Sequence, residues 1–189
     1  MNTPAHLILG TTLFGRPGMK GVPLAAVLGS LAPDISLYLL SFTSIWVLGI
    51  SPSRVFDELY FSAAWQQVFA IDNSFVLWGM LLAYAIWQQK LLLRVFASAG
   101  LLHLLCDFFL HNEDARRQFW PLSDWVFRSP FSYWDRHHHG AVIGPMEMAM
   151  CAALSILLWR RFPRPFHRML IVLLLGMEIL PGLLFRYLL

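Results

Sequence analysis

Charge is what this chain has least of. Only 13% of its 189 residues are Asp, Glu, Lys or Arg, about half the share of an ordinary soluble domain. With 58% hydrophobic residues and a mean hydropathy of +0.59, a water-soluble globule is excluded and a lipid-embedded protein is indicated. The net charge of +3 is small and the arginines are scattered, so a nucleic-acid footprint is excluded as well. Cysteine is almost missing: Cys106 and Cys151 both fall in apolar runs, where they read as small buried hydrophobes and not as a disulfide framework. The segment MNTPAHLILG has no basic region ahead of its apolar stretch and no small-residue cleavage site, so it is expected to stay on the chain.

Apolar runs and aromatics are abundant. The 8 Trp and 15 Phe suit lipid-facing surfaces and the headgroup level. Thr3-Pro4 predicts a helix start, with a short helix over 4–15 ended by Gly15-Arg16-Pro17-Gly18. A span needs about 20 apolar residues, so this segment is expected to be re-entrant or packed against the bundle. Residues 22–50 are long enough to cross, with a kink or break at Pro33-Asp34. The mixed stretch 51–73 predicts an interfacial helix. Residues 74–89 and 95–111 form a helical hairpin about Lys90 and Arg94, and 141–159 and 169–188 complete the spanning set. The expected fold is therefore an all-α, polytopic membrane bundle: a single domain over 1–189 with about five spanning helices, the short N-terminal helix, and a polar and aromatic extramembrane loop over 112–140.

Short basic loops at Arg16 and Lys20, at Lys90 and Arg94, and at residues 160–168 place those ends on the cytoplasmic side of a multi-pass protein. The loop 112–140 then faces outward, although Arg116, Arg117, Arg128 and Arg136 lie in it beside Glu113, Asp114, Asp124 and Asp135.

Chemistry is sought among polar groups in apolar runs, because an ionised carboxylate in hydrocarbon costs at least about 2.5 kcal/mol and calls for a partner, a metal or water. Asp34, Asp107, Glu147 and Glu178 are such acids. His103, Asp107 and His111 follow at intervals of four, along one helical stripe with about 6 Å of rise per step. One ion can take His103 with Asp107, or Asp107 with His111, unless the helix end unwinds; two ions sharing Asp107 are the other option. His6 and Asp34 lie on segments that can converge on the stripe, and imidazole with carboxylate is a usual ligand set for zinc or manganese. The same residues also suit a plainer role as hydrogen-bonded core polars that hold helices together, with Asp34 capping the second half of its broken helix. Asp135 and His137 to His139 form a polar cluster where the loop meets the next helix. His138 and Asp135 are candidates there for acid or base work, and Asp114 is a candidate for a general base or an orienter of a histidine.

Pro4-Ala5-His6, the Leu31 to Asp34 element LAPD, and LLHLLCD over Leu101 to Asp107, followed by Trp120-Pro121, together resemble the YdjM-like family of membrane-bound, metal-dependent hydrolases. The NTPAH start and the SYWD segment are also similar to a proteobacterial membrane group sometimes labelled cobalamin-biosynthesis proteins. The resemblance implies a helical inner-membrane protein with His6, Asp34, His103 and Asp107 as metal ligands. Where the family has a His-rich element before the middle helix, this chain has Ile71-Asp72-Asn73-Ser74, so His111 or the 137–139 cluster would complete the ligands.

Two functions follow as expectations. One is a divalent-metal-dependent hydrolase of an ester or phosphoester, with membrane lipids as surroundings and a small-molecule or lipid substrate. In it Asp107 or the loop residues Asp114, Asp135 and His138 serve the chemistry. The other is a non-enzymatic membrane protein, a metal or proton carrier or an assembly factor, with a structural polar cluster.

Overall fold

The computed structural model describes the backbone of residues 1–188 and the side chains of residues 1–180. Among the described residues the chain is all α, without strands. Helix α1 (Thr3–Phe14) follows Asn2 as N-cap, has Pro4 in its first turn, where no amide donor is missed, and stops at Gly15. Helix α2 (Val22–Leu31) starts after Gly21, whose φ of 80° suits a residue without Cβ. At Pro33 the expected break is instead a tightening: a 3-10 turn (Ala32–Asp34) leads directly into α3 (Ile35–Phe42) and a π turn (Thr43–Val47). The helical path therefore continues from Val22 to Val47.

The stretch expected to be interfacial divides in two. Helix α4 (Pro52–Arg54) and a π turn (Val55–Leu59) are separate from α5 (Ala63–Asp72), which runs nearly end to end into α6 (Phe75–Trp87). Ser62 and Ser74 cap these two helices by accepting from the amides of Trp65 and Leu77. Helix α7 (Leu91–Leu110) ends where His111 turns extended. Helices α8 (Gly140–Arg161) and α9 (Pro165–Leu188) close the chain.

Among the described residues, four helical stretches are long and apolar enough to cross a membrane: Val22–Val47, Ala63–Trp87, Leu91–Leu110 and Gly140–Arg161. Large apolar side chains such as Phe42, Trp46 and Trp87 are exposed on the bundle, as lipid contact would allow. The short α1 is the centre of the arrangement and packs against α2, α7, α8 and α9. Two glycines allow the close approaches on which the site depends. A Cβ on Gly10 would fall 1.9 Å from Ser30 Oγ, and one on Gly29 would fall 2.1 Å from the Phe96 carbonyl oxygen, so α1 closes onto the Ser30 side chain and α2 meets α7 almost backbone to backbone.

The loop after α7 is folded back onto the helices. Gln118 takes the Phe75 amide at 2.8 Å and donates to the Leu104 carbonyl at 3.2 Å. Ser129 donates to the Phe109 carbonyl at 2.6 Å. Its regular structure is one 3-10 turn, Arg136–His138, just before α8.

Candidate metal centre

The site begins with a backbone carbonyl. Ser30 lies in the last turn of α2, just before the 3-10 turn at Pro33, and its oxygen stands 2.7 Å from His103 Nδ1. A carbonyl only accepts, so Nδ1 of His103 carries the proton, and the neutral ring presents a lone pair at Nε2. That Nε2 is buried, 3.1 Å from Asp107 Oδ2 and 3.6 Å from Asp34 Oδ1, and makes no hydrogen bond of its own in the neutral form. Three acceptors facing one another repel unless a proton or a metal cation lies among them.

His6 supports the same conclusion from α1. Its ring stacks on His103 with centroids 3.6 Å apart and planes 10° apart, and its Nε2 is 2.9 Å from Asp107 Oδ1. His6, His103 and Asp107 are all buried and each offers a ligand atom within 4.8 Å of the others, a group that can hold a metal ion.

His111 approaches the same carboxylate from the other side. Asp114 Oδ2 takes its Nδ1 proton at 2.7 Å and also accepts from Trp134 Nε1 at 3.1 Å. His111 Nε2 is thereby turned to Asp107 Oδ1 at 3.1 Å. A carboxylate that orients a histidine in this way fixes its tautomer and raises its basicity as a ligand. Burial works against the charge on Asp114, but the His111 and Trp134 hydrogen bonds outweigh it and hold the carboxyl below its ordinary range. The helix stripe is thus divided at Asp107: Oδ2 serves His103, and Oδ1 serves His6 and His111. His111 reaches its place because α7 has already ended. The Met1 ammonium donates to Asp107 Oδ1 at 2.9 Å and lies 3.4 Å from His111 Nε2.

Asp34 belongs to the same neighbourhood. Its side chain makes no cap bond to α3, contrary to the capping role considered for it; Oδ2 instead takes the Thr3 hydroxyl at 2.5 Å. The 3-10 turn at Pro33 directs the carboxyl toward α1 and α7, not along its own helix. Asp135 and His138 form a separate pair, 2.6 Å apart within one turn, and no contact among the described residues joins them to Asp107. Asp72 and Ser74 do structural work: the Asp72 carbonyl accepts from Trp78 Nε1, and Ser74 caps α6.

Two further groups gain a place only through the fold. Glu147 and Glu178 are buried together beside Asn2, whose amide donates to Glu147 Oε1 at 2.7 Å and whose side chain lies 3.4 Å from Glu178 Oε1. Arg116, one of the loop arginines that bear on orientation, is buried next to the site; apart from its being a cation in a polar loop, nothing in the sequence indicates this.

Among the described residues the fold is all α, with four helices able to span a membrane and a buried His/His/Asp group able to hold a metal. Comparison of the chain with family models, with curated proteins and with solved structures gives no match.

Proposed function

We propose that the chain is a multi-pass inner-membrane hydrolase, dependent on a divalent metal, that cleaves an ester or phosphoester at the membrane surface. The observation that carries this reading is the pair of histidines whose Nδ1 protons are held elsewhere, by Ser30 and Asp114, so that both Nε2 lone pairs face one buried carboxylate. With the Nδ1 protons so committed, a cation must lie between each Nε2 and the carboxylate, either a metal ion or a second imidazole proton, and the convergence of His6, His103 and Asp107 on one point favours the metal. The resemblance to the YdjM-like hydrolases belongs to the same proposal, as does the assignment of α9 as a fifth span.

His6, His103 and Asp107 would hold the ion, with Asp34 and His111 at its edge. Such an ion supplies Lewis acidity and lowers the pKa of water at neutral pH. Asp107 is the acceptor toward which a water O–H can be turned, and Asp114 keeps His111 in the tautomer that leaves its lone pair inward. In the reaction a water oxygen bonds to the acyl carbon or the phosphorus, the bond to the leaving oxygen breaks, and the proton released by water ends on that oxygen. Asp107 lies one turn from the end of α7, under a loop with exposed Trp125 and Trp134, which suits a substrate that arrives along the bilayer surface.

A second reading, a metal or proton carrier, draws on Glu147 and Glu178, buried acids without a Lys, Arg or His partner among the described residues. Both meet Asn2 at the start of α1, the end at which Met1 meets Asp107, so the acids gather at one depth and do not step through the membrane. Metal analysis of detergent-purified protein tests the main proposal. About one equivalent in the wild type and none in His103→Ala is expected. A metal-free wild type, or equal metal in both, would overturn it.

A further inference from the structure

Arginine is seldom buried without a carboxylate against it, because the guanidinium keeps its charge in any surroundings. Arg116 is such a residue. It is 8% exposed, its Cζ lies 4.6 Å above the centre of the Phe69 ring, and the Tyr60 hydroxyl is beside it. No carboxylate among the described residues forms an ion pair with it, and its Nη1 is buried without a hydrogen-bond partner. The neighbouring Arg117, by contrast, is tied to Asp124 at 3.0 Å and to the Gln66 carbonyl at 3.0 Å.

Arg116 lines a small cavity together with Asp107, His111, Phe108, Ala115, Gln118 and Phe127. The cavity leaves about 10 Å³ for the centre of a water-sized atom, room for a single oxygen. One wall is the pair Phe127 and Phe108, stacked with centroids 4.5 Å apart, so Arg116 borders a place that is apolar on one side and lined by the metal-site carboxylate on the other. The carboxylates that act on its charge from a distance are Asp34 and Asp107. Those are the groups whose negative charge a bound metal ion would take up, which leaves the guanidinium to be balanced by something else.

We propose that Arg116 is the anion-binding residue of this site and takes one oxygen of a phosphoryl group in the cavity it shares with Asp107 and His111. The substrate is then a phosphoester and not a neutral carboxylic ester. The assignment rests on the metal-centre reading above and narrows its substrate class. A neutral carbonyl oxygen would leave a buried full charge unbalanced, whereas a phosphoryl oxygen supplies both the acceptor and the opposite charge, and guanidinium matches it in shape. The remainder of the phosphoryl group lies toward the ion, and its organic substituent lies outside the one-oxygen cavity.

The test titrates inorganic phosphate into metal-loaded, detergent-purified protein by calorimetry. In parallel it counts retained short-chain phosphatidic acid by native mass spectrometry, with diacylglycerol as the phosphate-free control. Wild type should bind at least one of the two phosphate probes and not diacylglycerol; phosphate alone points to a soluble phosphoester, and phosphatidic acid alone to a lipid headgroup. Arg116→Gln should weaken that binding roughly tenfold or more, and Arg117→Gln should leave it unchanged. Should Arg116→Gln not be recovered folded, Arg116→Lys decides, with a severalfold loss expected because a point charge cannot reproduce the guanidinium fork. Metal-loaded wild type that binds neither probe, or variants at Arg116 that bind as well as wild type, would overturn the proposal. A wild type that purifies without metal would instead count against the metal centre, and the two failures are told apart by measuring metal content on the same samples.

Discussion

Asp107 and Asp135 each sit beside histidine, and the two neighbourhoods differ in how far the chain must travel to build them. Asp135 meets His138 three residues away, inside one exposed turn, and its other partner is the His137 amide. Asp107 meets His6 from α1 and, through His103, Asp34 from the turn after α2, across 101 and 73 positions of sequence. The local pair is satisfied by its own loop: the proton His138 shares with Asp135 leaves nothing unmet. At Asp107 the Nδ1 protons of His103 and His111 are held by Ser30 and Asp114, and their Nε2 atoms are left facing carboxylate oxygens. Proximity of His and Asp is therefore a weak sign of chemistry; a tautomer fixed from outside is a stronger one.

The comparison breaks most sharply at Asp107. Asp107→Ala should abolish bound metal and destabilise the protein by about 3–5 kcal/mol, the scale for removing one partner of a buried charge network; metal analysis and thermal unfolding read the two effects. Stripping the wild type with a strong chelator should lower its thermal midpoint by several degrees, since a ligand that binds only the native state stabilises by mass action. The same treatment should leave His103→Ala unmoved, and equal shifts in both would remove the ion from the account. A smaller effect is expected of Asp114→Asn. It keeps the shape but weakens the grip on His111, so metal affinity should fall about 10- to 100-fold in a competition titration.

The outer pair should respond least. His138→Ala should keep the wild-type metal content and change stability by no more than about 0.5 kcal/mol. Its pH behaviour is equally local. The His138 hydrogen bond, followed by that of the His137 amide, holds the Asp135 carboxyl below its ordinary range. A depressed folded pKa means that the tie is present above the ordinary carboxylate range and is lost as pH falls through the depressed value. The amide shift of His137 should report that loss while metal content, measured above the transition, stays constant. A parallel loss of metal in His138→Ala would join the two regions and erase the contrast.

Much of the inner site was legible because its members are polar residues in apolar surroundings. His6, Asp34, His103 and Asp107 stand out against runs that have no other reason to contain them, and the four-residue spacing of the stripe follows from helix geometry alone. The partners were not legible. Ser30 acts through its main chain, whose chemistry every residue shares. Gly10 and Gly29 act by lacking a side chain, and Arg116 was one cation among several in a polar loop. The break expected at Pro33 became a 3-10 tightening because a proline at a helix joint forfeits only one donor, so the path to Val47 could continue.

Composition and the length of apolar runs determined that this chain is helical and rich in segments able to cross a lipid bilayer, since a backbone in hydrocarbon must satisfy its own hydrogen bonds and the helix does so locally. Only the tertiary structure decided which polar groups share a pocket and which nitrogen of each histidine faces inward. Those properties depend on distances between residues far apart in the chain and on carbonyls and carboxylates whose partners the order of residues does not reveal.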